Sequence, residues 1–186
     1  MPNQDRRIQK TRKAIYEAFS GLLQKKKYSA ITIQEIIDEA NVGRSTFYSH
    51  FETKDELLYN MCDDIFESIH INVSKDASGA FRIPISYLLQ HLLDNKKIIV
   101  GIFHDECYEY IIRKYKSKWR EMLKQHFIEE HPQANWKVPI EFLINHVISS
   151  AAEMIRWWVD TGMKYEPIQM EQYWFALITP AIMSAV

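Results

Sequence analysis

Glycine is scarce in this chain of 186 residues, and no two of its five glycines lie close together. They are Gly21, Gly43, Gly79, Gly101 and Gly162. A P-loop and the GxGxxG turn of dinucleotide-binding folds both need clustered glycines, so these phosphate-binding loops are excluded. Many-stranded folds need frequent glycine, asparagine and proline turns, which this sequence does not supply. We therefore expect an all-α protein.

Composition excludes several further classes of protein. The 47% of hydrophobic and 13% of aromatic residues exceed what disordered chains carry and are enough to form a core. The two cysteines, Cys62 and Cys107, lack CxxC spacing, so we predict neither a disulfide framework nor a structural zinc site. The first residues lack the apolar stretch of a signal peptide, and no apolar run reaches membrane-span length. We expect a cytoplasmic protein without membrane contact, bound metal or cofactor.

The charges are unevenly distributed along the chain. Residues 1–54 contain ten Lys/Arg and six Asp/Glu, whereas residues 55–186 contain thirteen and eighteen. The first turns of the first predicted helix are basic although the helix dipole favours anions there, which suggests a phosphate partner. A solvated basic face is the alternative. The basic residues are Arg6, Arg7, Lys10, Arg12 and Lys13.

Two short helices are predicted next to each other. Thr32 followed by Glu35 has the spacing of a capping box and opens the first, which ends at Asn41-Val42-Gly43. The second extends from about Arg44 to His50, and a second Thr-x-x-Glu pair at Thr53 opens a longer helix. Two short helices joined by a tight turn and braced by a longer helix are typical of a helix-turn-helix unit.

Residues 5–58 resemble the DNA-binding domain of the TetR/AcrR family of transcriptional regulators. The resemblance rests on the Thr32 cap, the Gly43 turn, the Tyr48-x-x-Phe51 helix and the Lys54-Asp-x-Leu57 start of the fourth helix. Lys27 and Asn41 stand where the family usually has glycine. The resemblance implies about nine helices: a three-helix DNA-binding domain (1–54) and a larger helical regulatory and dimerisation domain (55–186).

The C-terminal half shows helical patterns and a second resemblance. We predict a helix over Phe81–Leu93 with Pro84 in its first turn, a left-handed cap at Gly162 and a last helix starting at Pro167. Residues 155–173 resemble the ending of a TetR branch that includes proteins similar to dihydroxyacetone-kinase regulators. Glu166 departs from that branch, which usually has serine or a similar capping residue before the proline.

The second short helix would enter the major groove and read bases with its first residues. Arg44 is the main candidate, because arginine can form two hydrogen bonds with guanine, and a phosphate contact is the alternative. The family pattern assigns phosphate contacts to Tyr48, His50 and Lys54. Thr46 could instead face the preceding helix, and His50 could be a solvated surface residue. Phe47 and Phe51 are predicted core residues. The full set of predicted DNA-binding residues is Thr32, Gly43, Arg44, Ser45, Thr46, Tyr48, Ser49, His50 and Lys54.

Dimerisation and effector binding are assigned to the larger domain. The last two helices would form a dimer interface through aromatic residues that one monomer core cannot all accommodate; the alternative is that they cap that core. These residues are Trp157, Trp158, Tyr173, Trp174 and Phe175. An effector pocket, apolar with a few polar groups, would be lined by Tyr87, His91, Phe103, Cys107, Tyr108, Tyr115 and His146.

The sequence leaves three hypotheses about function open. The leading hypothesis is a homodimeric repressor that leaves a palindromic operator in double-stranded DNA when a small molecule binds. The second is a TetR-like coactivator that a protein partner switches. The third is a helical enzyme, for which the sequence offers no nucleophile elbow, paired catalytic carboxylates or metal motif.

Overall fold

Nine α-helices and one pair of short strands make up the parts of the chain that the structure, a computed structural model, describes. Those parts are residues 2–68, 74–75, 77, 81–129 and 135–185. The first four helices are α1 (Pro2–Leu23), α2 (Ile33–Ala40), α3 (Arg44–Tyr48) and α4 (Lys54–Ser68), with a 3-10 turn at Tyr28–Ala30. The other five are α5 (Ser86–Asp94), α6 (Lys96–Phe103), α7 (Cys107–Lys124), α8 (Ile140–Asp160) and α9 (Pro167–Ser184). The predicted all-α class is confirmed.

The chain forms two compact units. The first comprises Met1–Ser68 and Lys96–Tyr110, and the second comprises Ile69–Asn95 and Ile111–Val186. Helix α6 and the first residues of α7 therefore belong with the N-terminal helices. The predicted domain division between residues 54 and 55 stays a prediction.

The first unit is organised around α1, which packs on α2 and on α6. Apolar side chains recur every three or four residues along α1, so one of its faces is buried. Ile15 and Phe19 from that face are fully buried, as are Ile36 of α2 and Phe47 of α3.

The second unit contains the pair of strands and four helical segments. Strands β1 (Ser74–Lys75) and β2 (Phe81–Arg82) pair in antiparallel register. Helix α9 packs on α5, α8 and β2. Helix α7 ends in a π-helical turn at Gln125–Glu129. None of the helices among the described residues is long and apolar enough to cross a lipid bilayer.

The segment before α5 differs from the predicted helix over Phe81–Leu93. Phe81 and Arg82 form β2, and Pro84 precedes α5 rather than lying in its first turn. Side chains of α9 hold this segment extended: Trp174 Nε1 donates to the Ile83 carbonyl at 3.1 Å, and Thr179 Oγ1 donates to the Phe81 carbonyl at 3.1 Å. These tertiary hydrogen bonds outweigh the local helical pattern.

Two helices end in the same six-residue capping geometry. At the end of α8, Gly162 has a φ of +81°, and the Met163 N–H donates to the Trp158 carbonyl at 2.7 Å. At the end of α2, Asn41 has a φ of +51°, and the Val42 N–H donates to the Ile37 carbonyl at 3.1 Å. Both are Schellman motifs, in which a left-handed residue reverses the chain direction. The left-handed cap predicted at Gly162 is confirmed.

We predict opposite effects of alanine at two glycines. Gly162→Ala should lower the free energy of unfolding by about 1–2 kcal/mol, because alanine must adopt the left-handed conformation there. Gly21→Ala, inside α1 with nothing within 4 Å of an added Cβ, should raise it by about 0.5–1 kcal/mol. Urea unfolding of both variants provides the measurement, and equal signs would contradict the assigned cap.

Candidate functional site

The N-terminus of α2 is held by the predicted capping box. Thr32 Oγ1 accepts from the Glu35 N–H at 3.2 Å, and the Glu35 carboxylate accepts from the Thr32 N–H at 2.9 Å. An ion pair with Lys26, together with the bonds from Thr32, lowers the pKa of Glu35 to about 2. The Thr32 hydroxyl also donates to Glu35 at 2.9 Å, so any phosphate at this position competes with that carboxylate.

The turn between α2 and α3 depends on Asn41 rather than on Gly43. Asn41 is the left-handed residue, whereas Gly43 is extended, with φ −75° and ψ 151°, and serves as the N-cap position of α3. A Cβ at Gly43 would meet Thr46 Oγ1 at an ordinary 3.6 Å. The fold therefore does not need glycine at residue 43, and a DNA contact there stays a prediction.

Helix α3 has one buried and one exposed face. Phe47 and Phe51 are buried, at 0% and 1% exposure, with ring centroids 6.0 Å apart, as expected for core residues. The opposite face exposes Arg44, Ser45, Tyr48 and Ser49, while Thr46 and His50 are half-buried. With the exposed N-cap residue Gly43, seven of the predicted DNA-binding residues thus lie on or next to one helix, and five of them face solvent.

Arg44 is held by a residue that the sequence analysis did not single out. Its Nη2 donates to Gln34 Oε1 at 2.8 Å, and Gln34 lies on the exposed side of α2. The signal available in the sequence was weak, because a glutamine ten residues before an arginine is not a motif.

Lys54 is engaged within the protein. Its ammonium donates to the carbonyls of Tyr28 at 2.8 Å and Ile31 at 2.7 Å, and it lies 4.1 Å from the centroid of the Tyr28 ring. The Tyr28 hydroxyl bonds to Asp55, and burial together with this bond raises the pKa of Tyr28. Lys54 thus ties the start of α4 to the 3-10 turn, and one of its three N–H donors is left for the predicted phosphate contact.

The N-terminal half of α1 presents a basic stripe, which we define as Arg6, Arg7, Lys10 and Lys13. All four side chains are exposed. Lys13 pairs with Glu17 at 3.8 Å, and no ion pair of the other three is found among the described residues. Arg12 belongs to the core side instead, because it bonds to the Tyr16 hydroxyl at 2.9 Å and lies over the Phe51 ring.

The seven predicted effector-pocket residues are distributed over both units. Phe103, Cys107 and Tyr108 belong to the first unit, where the rings of Phe103 and Tyr108 lie 4.7 Å apart. Cys107 is buried, and burial raises the pKa of its thiol to about 12, so the thiol stays protonated.

The other four pocket residues belong to the second unit. Tyr87 is 78% exposed and His146 is exposed, while His91 and Tyr115 are half-buried. Burial lowers the pKa of His91. Tyr87 lines an open cleft of about 250 Å³ together with Ser86, Gln90, Glu166, Pro167 and Ile168. None of the seven lines a smaller apolar cavity of this unit, whose walls are Ile83, Ile85, Trp119, Met122, Leu123, Val147, Ala151 and Trp174. No cluster of His, Cys, Asp or Glu that could hold a metal ion occurs in the described ranges.

The predicted dimer residues divide into two groups, and two of them need correction. Trp158 and Trp174 are 0% and 3% exposed, so they belong to the core of their own chain. Their indole N–H groups donate to the carbonyls of Tyr165 and Ile83. The prediction assigned all five aromatic residues to one surface, whereas adjacent residues of a helix point about 100° apart. Trp158 and Trp174 therefore face the core while their neighbours Trp157 and Tyr173 face solvent.

The remaining aromatic residues lie at the surface. Trp157 and Tyr173 are about half exposed, and Tyr165 lies between them, with ring centroids at 5.7 Å and 5.8 Å. Phe175 is half-buried beneath the guanidinium of Arg82 at 4.7 Å. An exposed aromatic cluster of Trp157, Tyr165 and Tyr173 therefore joins the end of α8 to α9.

Helix α9 has an unusual distribution of charge. Glu171 is its only Asp, Glu, Lys, Arg or His residue, and it is 8% exposed. Its carboxylate accepts from the backbone N–H groups of Ile85 at 2.6 Å and Ser86 at 2.7 Å, so it caps α5 from a neighbouring helix. The exposed face of α9 consequently carries no charged side chain, and it includes Ile168, Tyr173, Leu177 and Met183.

Comparison with known proteins assigns a family to both parts of the chain. Residues 15–61 match the model of bacterial regulatory proteins of the tetR family, and residues 84–180 match that of a transcriptional regulator C-terminal region. A crystal structure of a TetR transcriptional regulator from Streptococcus agalactiae is 30% identical. It aligns over 95% of this chain and 97% of its own, with a TM-score of 0.64.

Two curated relatives match over shorter segments. The dhaKLM operon transcriptional activator DhaS of Lactococcus lactis is 27% identical over 68% of this chain and 65% of its own length. The uncharacterized HTH-type regulator YxbF of Bacillus subtilis is 38% identical over 45% of this chain and 25% of its length. The two family models, together with the match to the S. agalactiae regulator over nearly the whole of both chains, show that this chain belongs to the TetR family of DNA-binding transcriptional regulators.

Proposed function

We propose that this protein is a homodimeric repressor that binds a palindromic operator through α3 and is released by a small-molecule effector. Residues 1–54 would bind DNA and residues 55–186 would dimerise and respond to the effector, in the bacterial cytoplasm and on the nucleoid while bound. The observation that carries the proposal is α3, which two buried phenylalanines anchor and which turns Arg44, Ser45, Tyr48 and Ser49 to solvent. Such a helix meets base edges with its first residues.

Sequence choice and affinity would come from different residues. Arg44 is the proposed reader of a guanine, and Ser45 and Ser49 are small enough to let α3 approach the groove closely. Tyr48, Thr32, Thr46, His50 and Lys54 would contact phosphates or support the helix. Phosphate contacts position the protein and carry no sequence information directly.

The basic stripe of α1 extends the proposed phosphate contacts. Arg12 and Tyr16 contact Phe51, three residues after the end of α3, so this turn of α1 lies close to the end of the proposed recognition helix. Arg6 lies six residues further toward the N-terminus, or about 9 Å along the helix axis. The stripe would meet the backbone next to the groove that α3 enters, which favours phosphate binding over a merely solvated face.

The dimer interface would be built by the uncharged face of α9 and the aromatic cluster of Trp157, Tyr165 and Tyr173. A solvent-facing helix normally carries charged side chains, and large exposed apolar patches mark interaction sites. A two-fold symmetric contact of this face would bring two recognition helices to the two halves of a palindrome. Trp158 and Trp174 would act indirectly, by fixing the helices from the inside.

A second candidate function is an activator that a protein partner switches. Two observations favour it. DhaS, which this chain resembles over 65% of the DhaS length, is named as an activator. Two pockets of the second unit, at Tyr87 with about 250 Å³ and at Glu121 with about 550 Å³, are open at the surface. The apolar cavity lined by Trp119 and Trp174 has a volume of about 20 Å³, room for one water molecule, whereas ligand pockets usually measure roughly 300–1,000 Å³. A small-molecule effector at that position would need the helices to move apart.

Selection from a library of random DNA duplexes, followed by a promoter reporter, tests the function and its sign. We expect the purified protein to enrich a palindromic sequence, and a reporter carrying that sequence to fall in activity when the protein is expressed. A rise in reporter activity would contradict the repressor function and support the activator function. Failure to enrich any sequence at low salt would overturn DNA-directed regulation by this chain.

The basic stripe is expected to control salt dependence. Replacing Arg6, Arg7 and Lys10 by alanine should reduce the slope of log affinity against log salt by about 0.9 for each phosphate that the protein no longer neutralises. The fall in affinity should be equal on selected and unrelated duplexes, because phosphates carry no sequence information. Fluorescence anisotropy at several salt concentrations measures it. As a control, replacing the exposed Arg113, Lys114 and Lys164 by alanine removes the same charge and should leave the slope unchanged. Equal slopes for the natural protein and both variants would contradict phosphate binding by the basic stripe.

The dimer interface is expected to fail when charge is placed on α9. Leu177 is 74% exposed in the single chain, so Leu177→Arg should leave the fold intact while burying two arginines in the dimer. Sedimentation should show twice the 22.1 kDa chain mass for the natural protein and the single mass for this variant. Ile8→Arg, at a residue 48% exposed on α1, is the control and should remain dimeric. A natural protein that sediments as a monomer at micromolar concentration would remove the proposed dimer.

A further inference from the structure

Three side chains form a chain of hydrogen bonds across the helix-turn-helix. Gln34 Nε2 donates to Asp38 Oδ1 at 2.8 Å, and Gln34 Oε1 accepts from Arg44 Nη2 at 2.8 Å. Gln34 and Asp38 lie one turn apart on α2, and Arg44 is the first residue of α3. All three side chains are exposed on the unit that contains the recognition helix.

We propose that Gln34 is a positioning residue for DNA reading: it holds the Arg44 guanidinium in the orientation that meets the base. This inference rests on the proposed function of Arg44. It adds a residue on α2 to the determinants of sequence choice, although α2 is not the helix assigned to the groove.

Arginine reads guanine well only when its planar guanidinium is oriented, because two N–H groups must meet two acceptors at once. An unrestrained arginine side chain has many rotamers, and fixing them on binding opposes association. The bond to Gln34 uses one of the five guanidinium N–H groups and leaves four for DNA. The side chain is therefore partly ordered before DNA arrives.

Asp38 fixes which way the Gln34 amide faces. A carboxylate accepts hydrogen bonds and does not donate them, so the NH₂ group of the amide must point to Asp38. The amide oxygen is then directed at Arg44, which is the only orientation in which arginine can donate to it. Glu35, the next residue along α2, bonds to Lys26 and Thr32 and is not part of the Asp38–Gln34–Arg44 series of hydrogen bonds.

A direct reading of a base by Gln34 is the competing role. A glutamine recognises adenine by using its oxygen and its NH₂ group together. Each group of Gln34 already makes one bond, to Arg44 or to Asp38, and has room for one more. Direct reading would therefore have to share or turn an amide that these two bonds orient. The observed hydrogen bonds favour positioning.

Base preferences of four proteins test the inference: the natural chain, Gln34→Met, Arg44→Ala and the double variant. Each selects from the same random duplex library, and anisotropy then gives affinities for the selected duplex and its single-base-pair substitutions. Arg44→Ala should reduce the preference at one base pair by about 5- to 150-fold. Gln34→Met keeps the side-chain length and should reduce the preference at the same base pair by about 2- to 10-fold. The double variant should match Arg44→Ala.

The control is a second glutamine with the same local bonding. Gln90 on α5 donates to Asp94 at 2.8 Å, again one turn apart, and no bond from it to an arginine is found among the described residues. Gln90→Met should leave every base preference unchanged, which separates the loss of a surface helix pair from the loss of a positioning bond. Circular dichroism and urea unfolding should show that Gln34→Met and Gln90→Met are equally folded.

Three results would overturn the positioning role. Gln34→Met could alter the preference at a different base pair, its effect could add to that of Arg44→Ala, or it could leave all preferences intact. The first two would identify Gln34 as a reader in its own right, and the third would show that the bond has no effect on binding. Failure of the natural chain to select any sequence is a distinct result, because it would overturn the proposed function itself.

Discussion

The position of α3, the proposed recognition helix, depends on the burial of Phe47 and Phe51. Helix α3 has five residues, far fewer than an isolated helix needs to be stable in water, so its position must come from packing. The side chain of Phe47, on the inner face of α3, is fully buried. Phe51 packs on Tyr16 of α1 with ring centroids 5.7 Å apart. The Thr32 cap sets where α2 begins, and the Asn41 turn sets where α3 begins. The proposed contacts of Arg44, Ser45, Tyr48 and Ser49 with DNA all depend on the position that these two phenylalanines give to α3.

Helix α9 distributes charged and apolar side chains in the opposite way to an ordinary surface helix. Its one carboxylate points inward, where two backbone N–H groups at the start of α5 satisfy it, and its exposed face is uncharged. Trp174 and Thr179 bond to the segment before α5, so the inner side of α9 is held at three points. A helix that is anchored on its inner side and uncharged on its exposed face is suited to the proposed pairing with a second copy.

The N-terminal unit could be predicted well because its signals are local. The Thr32 capping box, the left-handed turn at Asn41 and the alternation of buried phenylalanines with exposed polar residues each follow from a few neighbouring residues. The C-terminal unit was predicted less well. The helix expected from Phe81 begins only at Ser86, since hydrogen bonds from residues about 90 positions away keep the preceding segment extended.

Individual site residues likewise differ in whether local sequence or contacts between distant residues determine their environment. Exposure of Arg44 follows from the helical pattern, whereas its bond to Gln34 depends on how two helices cross. The burial of Trp158 and Trp174 could not be predicted, because an aromatic-rich helix can place its rings in the core or at an interface. Lys54 matched a family position, yet the structure shows that most of its donors are used by carbonyls of the same chain.

The central claim is that Arg44 reads guanine from the major groove. Replacing each guanine of the selected duplex by 7-deazaguanine tests this directly, since it removes the N7 acceptor and leaves base pairing unchanged. We expect one guanine in each half-site at which the natural protein loses affinity and Arg44→Ala does not. A loss of equal size in both proteins at every guanine, or no loss at any guanine, would contradict the account.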